Sequence, residues 1–382
     1  MKTRVAIIGA GLAGLNCAKY LENDDNILID LFEKTNSIGG RIKTEEVDGF
    51  LLDHGFQVFL ARYPEAQKSF DFKKLTLNPF LPGANIDHRY IGDPLRNISD
   101  LIPSLFSDIG TIKDKLLILK LRFESPDSSK DLTTMEFLRD YGFSEKIINK
   151  FFIPFFSGVF LNTKLENNST FFQFLFKLFS NDYATLPENG MRDLPLNLAN
   201  QLKKTTIHLT SETGIKDANQ IEVNGRTLSY DYIVEAYPEK HTNFYSVYTD
   251  YFWTEKHSLT KPALYLFTKK TSKIINHVAP VSLANSNYAP KDKVLFSVNF
   301  FEEVDHEIIQ TEMETLFPSK TFNFIKRFHI KEALPIIGRA SNRPSKSTNI
   351  KAGDYLTTPS INGALESGRI AAEKIKHRIN KQ

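Results

Sequence analysis

Cysteine is almost missing from these 382 residues. Cys17 stands alone, so no disulfide can form within the chain, and a reducing compartment is expected. Nothing approaches the run of about 20 apolar residues that a membrane-spanning helix needs. An excess of basic charge is missing too, with 48 Lys and Arg against 45 Asp and Glu. That near-balance excludes a nucleic-acid binder working through a strongly basic surface. H-E-x-x-H, paired cysteines and an ordered Ser-His-Asp set are also absent. Metal-assisted or acyl-transfer chemistry would therefore have to be assembled from scattered residues. What is abundant is phenylalanine, 31 residues, clustered in FFIPFFSGVF (151–160) and FFQFLFKLF (171–179). The length supports a large core and favours two domains over one.

The opening stretch, MKTRVAIIGAGLAGLNCAKYLEN, places Lys2 and Arg4 before apolar residues, which is the outline of a secretory signal. Asn16 and Lys19 interrupt that outline, and the same residues fit a glycine fingerprint position by position. A cytoplasmic protein with a phosphate cradle is the expectation. Arg4 to Ile8 reads as a short buried strand, and Leu12, Leu15, Ala18 and Leu21 as the apolar stripe of a helix. Asn26 to Phe32 reads as a second strand. Within this unit Gly9 permits a tight turn, Gly11 lets the backbone approach a pyrophosphate, and Gly14 lets the helix lie close on the strand. The helix start, with Leu12 and Ala13, then aims free N–H groups and a positive dipole end at phosphate. Glu33 and the adjacent Lys34 follow the second strand. The Glu33 carboxylate is placed to accept hydrogen bonds from ribose hydroxyls, and it disfavours a 2′-phosphate and hence NADP. Cys17 is expected to be a small core residue on the helix.

Gly39-Gly40-Arg41 supplies a second place where backbone N–H groups and a guanidinium can meet phosphate. A cofactor ending in nicotinamide needs no such element; a flavin dinucleotide, with a ribityl chain and a bulky ring, does. A third element lies in NIKAGDYLTTPSINGALESGRIAAEKI. Asn349 to Ala352 reads as a strand closing on Gly353-Asp354, and a helix begins near Ser360 or Ile361. Asp354 is a candidate acceptor for a ribityl hydroxyl. The helix start would set a positive dipole end under the pyrimidine edge of a flavin.

These residues, Gly9, Gly11, Gly14, Glu33, Gly39, Gly40, Arg41 and Gly353-Asp354 with its helix, resemble the FAD-dependent amine oxidase, protoporphyrinogen oxidase and phytoene desaturase superfamily. The resemblance implies an α/β protein with a glutathione-reductase-like Rossmann domain that binds FAD, and a second α+β substrate domain. The FAD domain would be discontinuous, from 1–60, 185–240 and 330–382, with 61–184 and 241–329 forming the substrate domain. Strands at Thr206 to Leu209, Gln220 to Val223, Arg226 to Leu228 and Tyr232 to Val234 fit this plan, with Asn224-Gly225 as a hairpin turn. The resemblance implies that the Ile215 backbone meets the adenine. It also implies that the start of the terminal helix, from Ser360 through Ile361 and Asn362 to Ala364, borders the cofactor. DHGFQVF (53–59) resembles the stretch beside the flavin ring, which makes His54, Phe56 and Gln57 candidates to line the active site. A second reading puts Phe56 in the core and His54 in a local hydrogen bond.

FFIPFFSGVF and LPENGM (186–191) resemble segments of desaturase-like members. The phenylalanine segments read as aromatic core, as a tunnel for a polyene, isoprenoid or aromatic substrate, or as a patch resting on lipid. LIPSLF (101–106) is a second candidate for such a patch. Two features depart from the amine oxidases: Ser360 stands where they carry an aromatic cage residue, and their flavin-side lysine has no evident counterpart. Carbon–carbon desaturation or a related hydride removal from a hydrophobic small molecule is therefore expected. The alternatives are a non-redox isomerase or cyclase using reduced FAD, and a flavin-binding protein without turnover. No metal and no nucleic-acid partner is expected, and peripheral membrane contact is left open.

Overall fold

The computed structural model describes residues 2–93, 95–100, 102–103, 106–255, 261–318, 321–337 and 349–381. Of LIPSLF, Leu101, Ser104 and Leu105 lie outside the described residues. The opening unit folds as its pattern requires. Strand Thr3–Ile8 leads through the glycine turn into helix Leu12–Leu21, and strand Ile27–Phe32 returns parallel to the first. Val5, Ile7, Ile29 and Leu31 are buried in the core, as are Leu15, Ala18 and Leu21 of the helix.

Among the described residues this unit belongs to a five-stranded parallel sheet. Its order is Thr206–His208, Ile27–Phe32, Thr3–Ile8, Tyr232–Glu235 and Ile350–Lys351. Segments far apart in sequence therefore pair side by side, with Ile7 opposite Val234 and Val234 opposite Ile350. The terminal helix Ile361–Ile379 lies against the first helix so closely that a Cβ added at Gly368 would sit 2.2 Å from the Ala13 carbonyl oxygen. The three strands Thr213–Asp217, Gln220–Val223 and Arg226–Ser229 form a separate antiparallel sheet. Asn224 and Gly225, at φ 47° and 81°, make its two-residue turn, the left-handed pair that a tight hairpin demands.

Among the described residues a second, seven-stranded sheet has the order Asn323–Pro335, Phe244–Glu255, Lys293–Phe300, His277–Ala279, Leu264–Leu266, Gly83–Ile86 and Arg89–Gly92. The first of these strands runs past residue 330, so the expected boundary there falls inside a strand of this sheet. One sheet face packs Phe252, Phe296, Val298 and Phe300 against helix His306–Leu316. The other face packs Tyr251, Ala279 and Leu295 with Phe50, Leu52 and Phe80, while Leu266 and Ile86 meet Phe151 and Phe155. Helices Ile153–Phe160 and Ser169–Asn181 carry the phenylalanine clusters. Phe152, Phe156, Phe160 and Phe172 are almost wholly buried there. On the second helix the buried face is Phe171, Phe172, Leu175 and Phe176, while Phe174, Leu178 and Phe179 flank it half-buried.

Candidate active site

A cavity of about 1310 Å³ runs between the two sheets. It exceeds the usual ligand pocket of about 300–1,000 Å³, so it can hold a large cofactor together with a second molecule. At one end it is walled by Gly9, Gly11, Leu12, Ala13, Gly39 and Gly40. Gly9 has φ +107°, and a Cβ there would lie 2.7 Å from the Ala236 carbonyl oxygen. A Cβ added at Gly11 would meet nothing closer than the Gly40 Cα at 4.0 Å. The two glycine turns thus face each other backbone to backbone, with open space above Gly11 at the helix start, where an anion is favoured. Gly14 does not border the cavity. Its missing Cβ would sit 2.0 Å from the Gly9 carbonyl oxygen, so it sets how closely the helix lies on the strand.

Glu33 lies on the cavity wall. Its Oε2 accepts from the Ala10 N–H at 3.0 Å, while Oε1 accepts from the Thr35 N–H at 2.9 Å and the Thr35 hydroxyl at 2.8 Å. A carboxylate offers about four lone-pair positions, so Oε2 retains one for a ribose hydroxyl. Beside it Lys34, then Ser211, Glu212 and Thr213, complete this end of the wall. Ile215 is not part of it. Its side chain packs with Ile8, Phe32 and Ile221, and the loop just before it borders the cavity instead.

Arg41 and Asp354 lie deeper, and they are bonded to each other. The guanidinium also donates to the Ala333 carbonyl at 3.2 Å. Two residues expected to hold different parts of one cofactor therefore brace one another, with further guanidinium donors and Asp354 Oδ2 still to spare. Gly353, at φ +156°, turns the chain here, and its N–H donates to Ser367 Oγ at 2.8 Å. Ser360 caps the terminal helix by accepting from the Gly363 N–H at 3.0 Å. Ser360, Ile361 and Ala364 border the cavity. Asn362 points away, its Oδ1 accepting from the Glu65 N–H at 3.0 Å.

His54, Phe56 and Gln57 all line the cavity. His54 Nε2 is 2.7 Å from Glu45 Oε1, and its ring lies against Phe328. Phe56 packs against Phe80 and His277, so it is both core and wall. Gln57 donates to the Arg41 carbonyl at 3.3 Å. Phe151, Phe155, Phe156, Phe176 and Phe179 form an aromatic side wall. The phenylalanine segments are thus core on one side and cavity lining on the other. Cys17 is fully buried, its thiol pushed up to about 12 by loss of solvation.

The cofactor-side contacts of this arrangement fit an extended dinucleotide, and the comparisons agree. A family model described as flavin containing amine oxidoreductase matches residues 12–249. The chain belongs to the flavin containing amine oxidoreductase family. Its cofactor is a flavin. Members most similar in sequence include coproporphyrinogen III oxidase of Staphylococcus aureus, 28% identical over 192 residues, covering 45% of this chain and 40% of that protein. The 15-cis-phytoene desaturase of Synechococcus elongatus is 28% identical over 174 residues, covering 39% and 36%. These matches span well under half the length of either relative. Among solved structures, an oxidoreductase from Methanosarcina mazei has a TM-score of 0.73 at 16% identity, covering 97% of this chain and 100% of that one. Wild-type putrescine oxidase bound to putrescine has a TM-score of 0.65 at 13% identity, covering 99% and 100%. The fold is therefore the mixed α/β fold of the amine oxidase-like flavoproteins.

Two parts of this flavoprotein's cavity lie beyond the residues expected from the sequence. One is the floor formed by the seven-stranded sheet, including His277 and Asn299. The other is the mouth, where Ile112, Leu116 and Leu119 of helix Ile112–Phe123 border it. The helical spacing of those apolar residues is a readable signal of a second apolar stretch beside LIPSLF.

Proposed function

We propose that the protein is an FAD-dependent dehydrogenase that removes hydride from a hydrophobic small molecule. The division of labour would be a glutathione-reductase-like FAD domain from 1–60, 185–240 and 330–382, and a substrate domain from 61–184 and 241–329, with strand Asn323–Pro335 running across the boundary at 330. The carrying observation is one continuous cavity that joins the Gly11–Gly40 cradle and Glu33 to an aromatic and aliphatic chamber. FAD supplies, when bound, the hydride acceptor. The residues of this chain orient the reactants. Glu33 fixes the ribose end, Arg41 and Asp354 secure the middle, and the phenylalanine wall packs a flat or extended apolar substrate while keeping water out. The test is to load the protein with FAD and mix it anaerobically with polyenes, porphyrinogens and amines. Loss of the oxidised flavin absorbance with one class supports the reading. Failure to take up FAD, or turnover only after reduction by dithionite, overturns it.

The cavity mouth supports delivery from a lipid surface. Ile112 is 74% exposed, Leu116 62% and Phe123 71%, and Phe106 nearby is 85% exposed. Such a patch on a protein surface marks an interaction site. Exposed Lys113 and Lys120 flank the helix stripe and suit anionic headgroups. Among the described residues no helix is long and apolar enough to cross a membrane, so contact would be peripheral. In flotation with phosphatidylglycerol vesicles, Leu116→Asp with Phe123→Asp should lower binding about tenfold or more. Binding equal to that of the unaltered protein would refute this route.

A further inference from the structure

The face of the seven-stranded sheet that forms the cavity floor can be read straight across its register. Phe328 stands opposite Thr249, Thr249 opposite Asn299, Asn299 opposite His277, His277 opposite Leu266, and Leu266 opposite Ile86. Directly paired residues share a face, and Asn299, His277, Leu266 and Ile86 all border the cavity. In this row the polar groups of Thr249 and Asn299 are accounted for. Thr249 Oγ1 donates to Asn299 Oδ1 at 2.7 Å, and Asn299 Nδ2 donates to Ser297 Oγ at 3.2 Å.

His277 is different. It is 6% exposed, and its Nε2 has no hydrogen-bond partner among the described residues. Its other nitrogen is committed. Nδ1 lies 2.8 Å from Asn276 Oδ1, and the Asn276 amide is oriented by donating from Nδ2 to Ser157 Oγ at 2.6 Å. Nδ1 therefore carries the proton, and Nε2 presents a lone pair. Burial pushes the imidazole pKa down to about 4, so the ring is neutral at ordinary pH. The place is also cleared for it. Gly158, itself on the cavity wall, would with a Cβ come within 2.8 Å of His277 Nδ1 and 3.0 Å of Cε1. A buried acceptor left without a donor is costly. The ring borders the cavity while Nε2 itself is closed to solvent, and a small turn of the ring toward the chamber would let a molecule there supply the donor.

We propose that His277 Nε2 is a substrate-recognition group that accepts a hydrogen bond from an N–H or O–H carried on an otherwise apolar, ring-containing substrate. This deepens the proposed function, on whose substrate chamber it rests: it selects donor-bearing ring compounds over pure hydrocarbons. The neighbouring rings of Phe56 and the side wall hold the apolar body, while His277 sets its orientation.

The test uses two ligands of nearly equal shape, indole with its N–H and indene without it, titrated into the FAD-loaded protein and followed by calorimetry. Indole should bind about five- to a hundredfold more tightly than indene, the range expected when a buried acceptor gains its donor. His277→Phe should abolish that preference, and His277→Gln, which keeps an acceptor, should restore part of it. The same titrations on the protein before FAD loading separate the two proposals. If FAD is not taken up but the indole preference depends on residue 277, the function proposal fails and this inference stands. If FAD binds and substrate bleaches it, yet indole and indene bind equally, the role of His277 is overturned. That comparison needs no variant, so a misfolded substitution cannot rescue the idea.

Discussion

Changing Gly11 and Gly14 to alanine separates a glycine kept for a ligand from one kept for packing. At Gly11 the backbone is extended, φ −74° and ψ 178°, which any residue adopts, and the added methyl would have its nearest neighbour at 4.0 Å. Alanine is a poorer helix cap than glycine by up to about 1 kcal/mol. It also restricts the unfolded chain, which returns about 0.4–1 kcal/mol. The stability of Gly11→Ala without cofactor should therefore stay within about 1 kcal/mol of the parent. At Gly14 the same methyl would lie 2.0 Å from the Gly9 carbonyl oxygen and 3.3 Å from the Ala236 Cβ. Helix propensity favours alanine there by about 1 kcal/mol, but the backbone must shift by about 1 Å to clear the oxygen, and overpacking costs about 1–3 kcal/mol or more. Gly14→Ala should melt lower before any cofactor is added. With FAD the order reverses, because the Gly11 methyl fills the space a pyrophosphate needs to reach the backbone N–H groups. Losing one such charge-assisted bond, at about 1.5–3 kcal/mol, weakens FAD binding roughly 10- to 150-fold. Thermal melting of both cofactor-free variants and fluorescence titration with FAD read the two effects independently. A Gly11→Ala protein that binds FAD like the parent, or that melts as low as Gly14→Ala, would refute the cradle.

Glu33→Gln keeps the shape but leaves one oxygen to face three protein donors, so an amide N–H is set against an N–H; FAD affinity should drop about ten- to a hundredfold by titration. Asp53 is buried, accepting from Thr44, Tyr288 and the Met191 N–H, and burial lifts its pKa from the ordinary 3.8 to about 6. Folding thus favours the protonated acid: its contribution is full below pH 4 and is lost as pH rises through 6, about 3 kcal/mol at most. Urea denaturation of the parent and of Asp53→Asn from pH 4 to pH 7 should show the parent losing ground to the variant; parallel curves would refute the assignment. Cys17, fully buried with its thiol pushed up to about 12, should react with a thiol reagent only as fast as the protein opens, and rapid labelling of the native protein would contradict this burial.

The glycine turns and the hairpin were legible because their requirements are local. A positive φ at Gly9, the close contact of Gly14 and the left-handed pair Asn224-Gly225 each restrict the residue type at one position, so a short stretch of sequence carries the whole message. Ile215 shows where such reading slips. It lies in a strand whose next apolar partner is Ile221, and the pair is drawn into the cluster around Ile8 and Phe32. The cavity is left to the polar residues just before it, and neighbouring positions in that stretch gave no cue to the difference.

The sheet side of the cavity was not legible because register assembles it. Thr249, Asn299, His277, Leu266 and Ile86 come from five strands, yet they form one row. No spacing in the sequence announces a row whose members are tens of residues or more apart, and His277 sits in a strand of three residues, His277–Ala279, too short to show alternation. Helix Ile112–Phe123 fails in the opposite way. Ile112, Leu116, Leu119 and Phe123 recur at helical spacing, a pattern that normally faces a core. Here Asp114 and Leu121 face inward, and Asp114 is held by Thr111 and Ser144. The buried carboxylate shares the inward side with Leu117, Ile118 and Leu121, which pack into the core, and this second apolar face turns the exposed stripe outward beside the cavity mouth. The periodicity predicts that the stripe must be covered. The hydrogen bonds of Asp114 and the packing of Leu117, Ile118 and Leu121 together decide that the cover has to come from outside the chain's own core.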